Sequence, residues 1–331
     1  MRVPGSRGGD DGFCRCRGAD RPFTKRVSPM KVLISGSSGL VGSALVHKLE
    51  AGGNSVGRLV RTTSATRPLD ILWQPGELLA PELVGDFDAV VHLAGRNLAG
   101  RWSVQLKREI RESRLLGTAT ISRTVAAAFR ACGKPSVLLS ASAIGYYGNR
   151  GSELLTESSA NGTGFLAELC RDWEAAASPA AEAGVRLVLS RLGVVLSDEG
   201  GALARLLPIF GLGLGGRIGN GRQYWSWIAL QDVVGAIEYA IANPSLSGPV
   251  NLTAPNPVTN AGFTAALARA LRRPAVFPVP AFALRLALGE MADEALLASQ
   301  RVQPEKLLKA AFRFTHPQLD EALEQICATP G

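Results

Sequence analysis

Lys31-Val32-Leu33-Ile34-Ser35 runs directly into Gly36-Ser37-Ser38-Gly39-Leu40-Val41-Gly42, and the reading of this stretch decides the fold. The first five residues form a short apolar run of strand type. Residues 43–51 then carry apolar side chains at 44, 45, 46 and 49, the spacing of a helix. A glycine turn between a first strand and a first helix is where a dinucleotide's pyrophosphate is held. The glycines permit positive φ and bring backbone N–H groups close to the phosphates, and the helix N-terminus supports the negative charge. Gly36, Ser38, Gly39, Leu40, Val41 and Gly42 are therefore candidate cofactor-binding residues.

Outward from this turn the alternation continues. Strand-like runs fall at 55–60, 88–93, 136–140 and 185–191, with helical patterns over 103–131 and 164–182. Short, continuously apolar strands separated by helices predict a parallel sheet covered on both faces. The pattern changes after residue 200 to a glycine-rich loop over 211–221, a tryptophan-containing strand-like segment over 223–228 and a helix opening at Asp232. Ala/Leu-rich helices broken by Pro274, Pro278, Pro280 and Pro304 follow. The predicted fold is α/β, a doubly wound parallel Rossmann-type sheet with a small, mostly helical C-terminal portion capping the substrate. Residues 30–254 are expected to form the Rossmann-type dinucleotide-binding domain, with 197–230 contributing to the substrate pocket, and 255–328 the small C-terminal domain. Residues 1–29 read as a disordered leader or as a translation start placed too far upstream of Met30.

The end of the second strand selects the cofactor. An NAD site has Asp or Glu there for the ribose 2′-hydroxyl. No acid occurs between Asn54 and Pro68, whereas Arg58, Arg61 and Arg67 do. Arg61, directly after Val60, is placed to pair with a 2′-phosphate, so NADP(H) is the expected cofactor.

Composition narrows the alternatives. The net charge of +8 divides into +4 over the first 30 residues and +4 over the other 301, and no Lys/Arg cluster interleaved with aromatics appears. This sets nucleic-acid binding aside. Five scattered cysteines (14, 16, 132, 170 and 327) and three histidines show no metal-ligand spacing, and an odd cysteine count indicates free thiols in a reducing compartment. No apolar run is long enough to span a bilayer. The expected protein is cytoplasmic, with a small-molecule substrate and no membrane or nucleic-acid partner. His92 has no carboxylate partner in the sequence around it and reads as a packing residue.

The residues resemble the extended short-chain dehydrogenase/reductases, which include nucleotide-sugar epimerases and dehydratases. Gly36-x-x-Gly39-x-x-Gly42 has their spacing, and His92-Leu93-Ala94-Gly95 looks like their fourth-strand motif. Ser140-Ala141-Ser142-Ala143-Ile144-Gly145-Tyr146-Tyr147-Gly148 looks like their fifth-strand segment. More closely, that run, Asp172-Trp173-Glu174, Gly213-Leu214-Gly215-Gly216 and Val302-Gln303-Pro304-Glu305-Lys306 are similar to the bacterial YfcH-type, NAD(P)-dependent epimerase/dehydratase-like proteins. The resemblance implies that Leu93, Ala94, Gly95 and Ser140 touch the cofactor and that Ser142 polarises a substrate oxygen. It also makes Glu109, Arg114 and Val194 candidates to line the cofactor cleft, and it implies a homodimer. The family's Tyr-x-x-x-Lys pair is absent from the whole chain. Counting back from Glu174, its positions fall on Leu166 and Cys170. A tyrosine alone, near pKa 10, is a poor base at neutral pH, so loss of the lysine matters. Tyr146 or Tyr147 remains to supply the proton. Two functions follow. The first is an NADP(H)-dependent oxidoreductase or epimerase acting on a small hydroxyl or carbonyl substrate. The second is an NADP(H)-binding regulatory or interaction protein without turnover.

Overall fold

The computed structural model describes Met1 and residues 29–62 and 67–328. The reading of residues 1–29 lies almost entirely outside the described residues. The first half runs β1 (Lys31–Ser35), α1 (Leu40–Ala51), β2 (Ser55–Val60), β3 (Ile71–Leu72), α2 (Pro81–Val84), β4 (Ala89–His92), α3 (Val104–Cys132) and β5 (Val137–Ala143). It continues through β6 (Leu154–Leu155), α4 (Phe165–Ala175), α5 (Ser178–Glu182), β7 (Arg186–Leu192), β8 (Val194–Leu196), α6 (Gly201–Gly211), β9 (Tyr224–Trp225), β10 (Trp227–Ala229), α7 (Leu230–Ala242) and β11 (Gly248–Leu252). The last part contains β12 (Val258–Thr259), α8 (Asn260–Leu271), α9 (Ala281–Leu288), β13 (Arg301–Val302), α10 (Glu305–Lys309) and α11 (Leu319–Ala328).

Seven strands form one parallel sheet in the order β11-β7-β5-β4-β1-β2-β3. Alternation along each strand serves both faces. Val32 and Ile34 of β1 join the core under α1 and α7, while Leu33 joins the core under α2, α3 and α5. This is the doubly wound Rossmann-type fold, with a helical C-terminal region. Ser103 caps α3 by accepting the Leu106 N–H, and Gly133, at φ 71°, ends that helix in the left-handed region.

Three sequence expectations change. The single helix over 164–182 is two helices, because the chain turns at Ala176–Ala177 and Pro179 opens α5. The helix expected to open at Asp232 starts at Leu230, with Asp232 buried in its first turn. The seventh strand β11 and helix α6 lacked periodic signals of their own; Gly248 and Pro249 obscure the first, and Gly201, Pro208 and Gly211 the second. Among the described residues no helix is long and apolar enough to cross a membrane, and no cluster of His, Cys, Asp and Glu is placed to hold a metal.

Candidate functional site

The strands β1, β2 and β4 end at one edge of the sheet, and a cavity of about 900 Å³ opens there. Its wall includes Gly36, Ser38, Gly39, Arg61, Gly95 and Glu109. The turn is built for close approach. Gly36 has φ 72°, and a methyl there would lie 2.7 Å from the Ala94 backbone nitrogen. A methyl on Gly42 would lie 2.1 Å from the Gly36 carbonyl oxygen. Helix α1 has no side-chain cap, so its first N–H groups are left for a ligand or water. The side chains of Leu40 and Val41 are off this wall. Leu40 rests against Gly200 and Gly201, and Val41 packs on the core, so only their backbone can serve the loop.

The three arginines around the end of β2 separate clearly. Arg58 holds Asp70 through two hydrogen bonds, of 2.9 and 2.5 Å, which raise its pKa and lower that of Asp70. Arg67 pairs with Glu50 at 2.6 Å. Arg61 is exposed on the cavity wall and has no ion-pair partner among the described residues. Opposite, Glu109 is bridged to Arg96 at 2.8 Å. Leu93, Ala94 and Gly95 line the cavity as a group. Arg114 does not. It is buried behind Gly95, stacks 5.0 Å over Trp173 and donates to the carbonyls of Arg96 and Ile110, and burial lowers its pKa. Its place is beneath the 93–96 loop, which it holds in shape. Ser140 is buried between β4 and β7, its Cα paired in register with His92. Val194 opens β8 and pairs with Trp227.

A second constellation follows from strand register. Ser142 of β5, Arg191 of β7 and Asn251 of β11 are neighbours across one rung of the sheet. The Ser142 hydroxyl donates to Glu174 Oε1 at 2.6 Å, and Arg191 grips the same carboxylate twice, from Nε and Nη2, at 2.8 Å each. Arg191 Nη1 donates to the Tyr147 hydroxyl at 3.0 Å, which donates in turn to Asn251 Oδ1 at 2.7 Å. Burial opposes the charge on Arg191, but hydrogen bonding to Glu174 and attraction by it prevail and raise its pKa. Burial pushes Tyr147 up to about 12. Tyr147 is 0% exposed and Ser142 1%. Tyr146 differs. Its ring lies 3.5 Å over the Arg191 guanidinium, it is half-buried, and its hydroxyl makes no hydrogen bond among the described residues.

Residues 32–252 match the sequence profile of the NAD dependent epimerase/dehydratase family. The chain belongs to that family. Residues 279–326 of this epimerase-family protein match a domain of unknown function, DUF1731. An epimerase family protein of Mycobacterium bovis is 50% identical over 303 residues, covering 91% of this chain and 98% of the relative. The human epimerase family protein SDR39U1, solved with NADPH, is 31% identical with a TM-score of 0.81, covering 90% of this chain and 99% of that one. A nucleoside-diphosphate sugar epimerase of Corynebacterium glutamicum is 38% identical with a TM-score of 0.74. The match covers 90% of this chain but only 58% of that longer one.

The residues at the first cavity fit the dinucleotide that the family name implies, because the space a Cβ would fill at Gly36 and Gly42 is closed by backbone and the α1 N-terminus is uncapped. At the positions that counting back from Glu174 assigns to the Tyr and Lys, this epimerase-family protein has apolar packing. Leu166 sits over Gly145, and Cys170 is buried, its thiol pushed up to about 12 by burial and then by Glu174. The Glu174–Arg191 pair is the feature missed by sequence reading. Glu174 served there only as a counting mark, and only the strand register sets it against Arg191 and Ser142. A second cavity of about 450 Å³ is lined in part by Ser152, Asn220, Arg222, Gln223, Arg285 and Ser299. It joins the 197–230 segment to the C-terminal part of the chain. Of the two tryptophans in that segment, Trp227 is fully buried and Trp225 donates to the Leu296 carbonyl, so both pack.

Proposed function

We propose that this protein binds NADP(H) and acts as an oxidoreductase or epimerase-like enzyme on a small hydroxyl or carbonyl substrate, as a homodimer of the YfcH-type branch. The observation that carries the cofactor choice is Arg61. It is the arginine at the end of β2 whose guanidinium is not committed to a carboxylate, and it lies on the wall of the glycine-turn cavity. The human relative's complex with NADPH supports the same choice. NADP(H), when bound, supplies hydride transfer. The chain supplies binding through the backbone of 36–42, the 93–95 loop and Arg61, with Arg114 bracing that loop from beneath.

Ser142 has its proton on Glu174, so its lone pairs accept rather than its hydrogen donating. This favours a substrate hydroxyl, which can donate to Ser142, over a carbonyl oxygen. Of the two tyrosines, Tyr146 is the proton carrier in this reading, because its hydroxyl makes no hydrogen bond among the described residues, whereas Tyr147 is committed at both ends.

The second reading, an NADP(H)-binding protein without turnover, is favoured by the burial of Ser142 and by Leu166 and Cys170 at the relay positions. Titration with NADPH and NADH, followed by nicotinamide fluorescence, tests the cofactor choice. Wild type should prefer NADPH, and Arg61→Ala should weaken NADPH about 10- to 100-fold, the value of one or two charge-assisted hydrogen bonds, while leaving NADH unchanged. Equal affinities in wild type would overturn it. Oxidation of NADPH over a carbonyl panel, or reduction of NADP over the matching alcohols, lost in Ser142→Ala and Tyr146→Phe but kept in Tyr147→Phe, separates the enzyme from the binding protein.

A further inference from the structure

Helix α9 has the sequence Ala-Phe-Ala-Leu-Arg-Leu-Ala-Leu, apolar at every position but one, yet none of its residues is buried. A helix of a water-soluble domain ordinarily turns such a face to the core. Its neighbours extend the same surface. Phe277 N donates to Gly215 O at 3.1 Å, Val279 N to Arg217 O at 2.9 Å and Gly219 N to Val279 O at 2.9 Å. These bonds fasten the approach to α9 beside the glycine-rich loop. Leu212, Leu214, Val276, Phe277, Phe282 and Leu286 are each between 54% and 76% exposed along the two joined segments. One exposed leucine is ordinary, whereas six large apolar side chains on adjoining segments mark a contact surface.

The segments that carry the ridge have charge of one sign, and the acids just beyond α9, Glu290 and Asp293, are engaged by Lys107 and Arg285. Residues 200–231 and 239–289, which include every segment of the ridge, hold seven arginines and no acidic residue. Arg205, Arg217, Arg272 and Arg273 are exposed and have no ion pair among the described residues. Arg285 and Arg269 are held by Asp293 and Asp320, both supplied from outside these two segments.

We infer that this face docks the protein on the surface of an anionic lipid bilayer. Phe277, Phe282 and Leu286 enter the boundary between headgroups and acyl chains, and the flanking arginines meet the lipid phosphates. An apolar ridge set among cations is the pattern of interfacial binding, in which hydrophobic insertion and attraction to anionic headgroups add. The sequence-based expectation of no membrane partner rested on the lack of a spanning run, which does not bear on a face lying on the surface. A second copy fits less well, because a twofold contact through the ridge would set each copy's arginines against the other's.

Co-sedimentation of the full chain with vesicles tests this, using phosphatidylglycerol and phosphatidylcholine in equal parts against phosphatidylcholine alone, at low and high salt. The double variants Phe282→Ser/Leu286→Ser and Arg272→Gln/Arg273→Gln change exposed side chains off the wall of the cofactor cavity, so NADPH binding serves as the check on folding. Wild type should pellet with the anionic vesicles, and each double variant should bind them at least about tenfold more weakly, in line with the contribution of individual arginines and buried apolar groups at such surfaces. Failure of wild type to pellet with anionic vesicles overturns the inference and leaves the face for an acidic protein. Unchanged binding by Phe282→Ser/Leu286→Ser overturns it as well, since the ridge would then be idle. So does a wild-type dimer that this variant dissolves, which would assign the ridge to a second copy.

Discussion

His92 ends β4 with its Nδ1 2.6 Å from the Ser35 hydroxyl, its Nε2 without a hydrogen-bond partner among the described residues, and the edge of Trp73 against its ring. Full burial without a carboxylate holds its pKa down to about 4. The folded protein therefore keeps it neutral where the unfolded chain, near 6.5, takes up a proton. The stabilisation from a neutral His92 is complete above pH 6.5 and is lost as the pH falls through about 4, amounting to roughly 3 kcal/mol over that window. Urea midpoints at pH 7 and pH 4.5 should fall farther apart in wild type than in His92→Gln. Parallel losses in the two proteins would show that His92 is not the group being protonated. The same physics separates the two arginines that matter most. Arg61 is solvated and open to a ligand, while Arg191 is buried and has its Nε and both Nη groups bound within the protein.

At the scale of elements, the turn from β1 into α1 is the unit on which the proposed cofactor binding depends. Alanine at an ordinary helical glycine gains about 1 kcal/mol. At Gly42 the sign should reverse, because the added methyl would collide with the Gly36 carbonyl and force the helix away from the loop. Gly42→Ala should cost about 1–3 kcal/mol in urea unfolding, the range for overpacking, and should weaken NADPH binding in the fluorescence titration. A stabilised variant that binds normally would contradict the packing described. The β5–β7–β11 rung is a second such unit. One-residue slippage in any of those strands would turn Ser142, Arg191 or Asn251 to the opposite face and dissolve the network.

At the scale of the molecule, the C-terminal part does not stand apart from the sheet. Leu307 is buried in the same core as Val250 and Ile237, and β13 pairs with β6. Trp227 packs in one cluster with Phe263, Leu267 and Leu323. The Glu294 carboxylate accepts the Leu166 N–H at the start of α4, filling the space left by Gly164, whose φ of 102° suits glycine. Unfolding of 30–254 and 255–328 should therefore be one event, with tryptophan fluorescence and far-ultraviolet circular dichroism giving coincident urea curves. Two resolved transitions would divide the chain at residue 254 after all.

What the sequence by itself determined lies within short stretches, where a few neighbouring residues carry the whole signal. The 31–42 run set the strand, the glycine turn and the helix, and through them the Rossmann-type fold. Its glycine spacing and the lack of an acid after β2 pointed to the phosphate loop and Arg61, and the missing Tyr-x-x-x-Lys was visible directly. Tertiary structure decided what depends on residues far apart in the chain. Register brought Glu174, Arg191 and Ser142 into one buried network. Burial committed Tyr147 and left Tyr146 uncommitted, and the folding of 276–288 beside the glycine-rich loop left an apolar ridge uncovered. Periodicity reports which faces are apolar, but which of them find a partner is settled only when the elements pack.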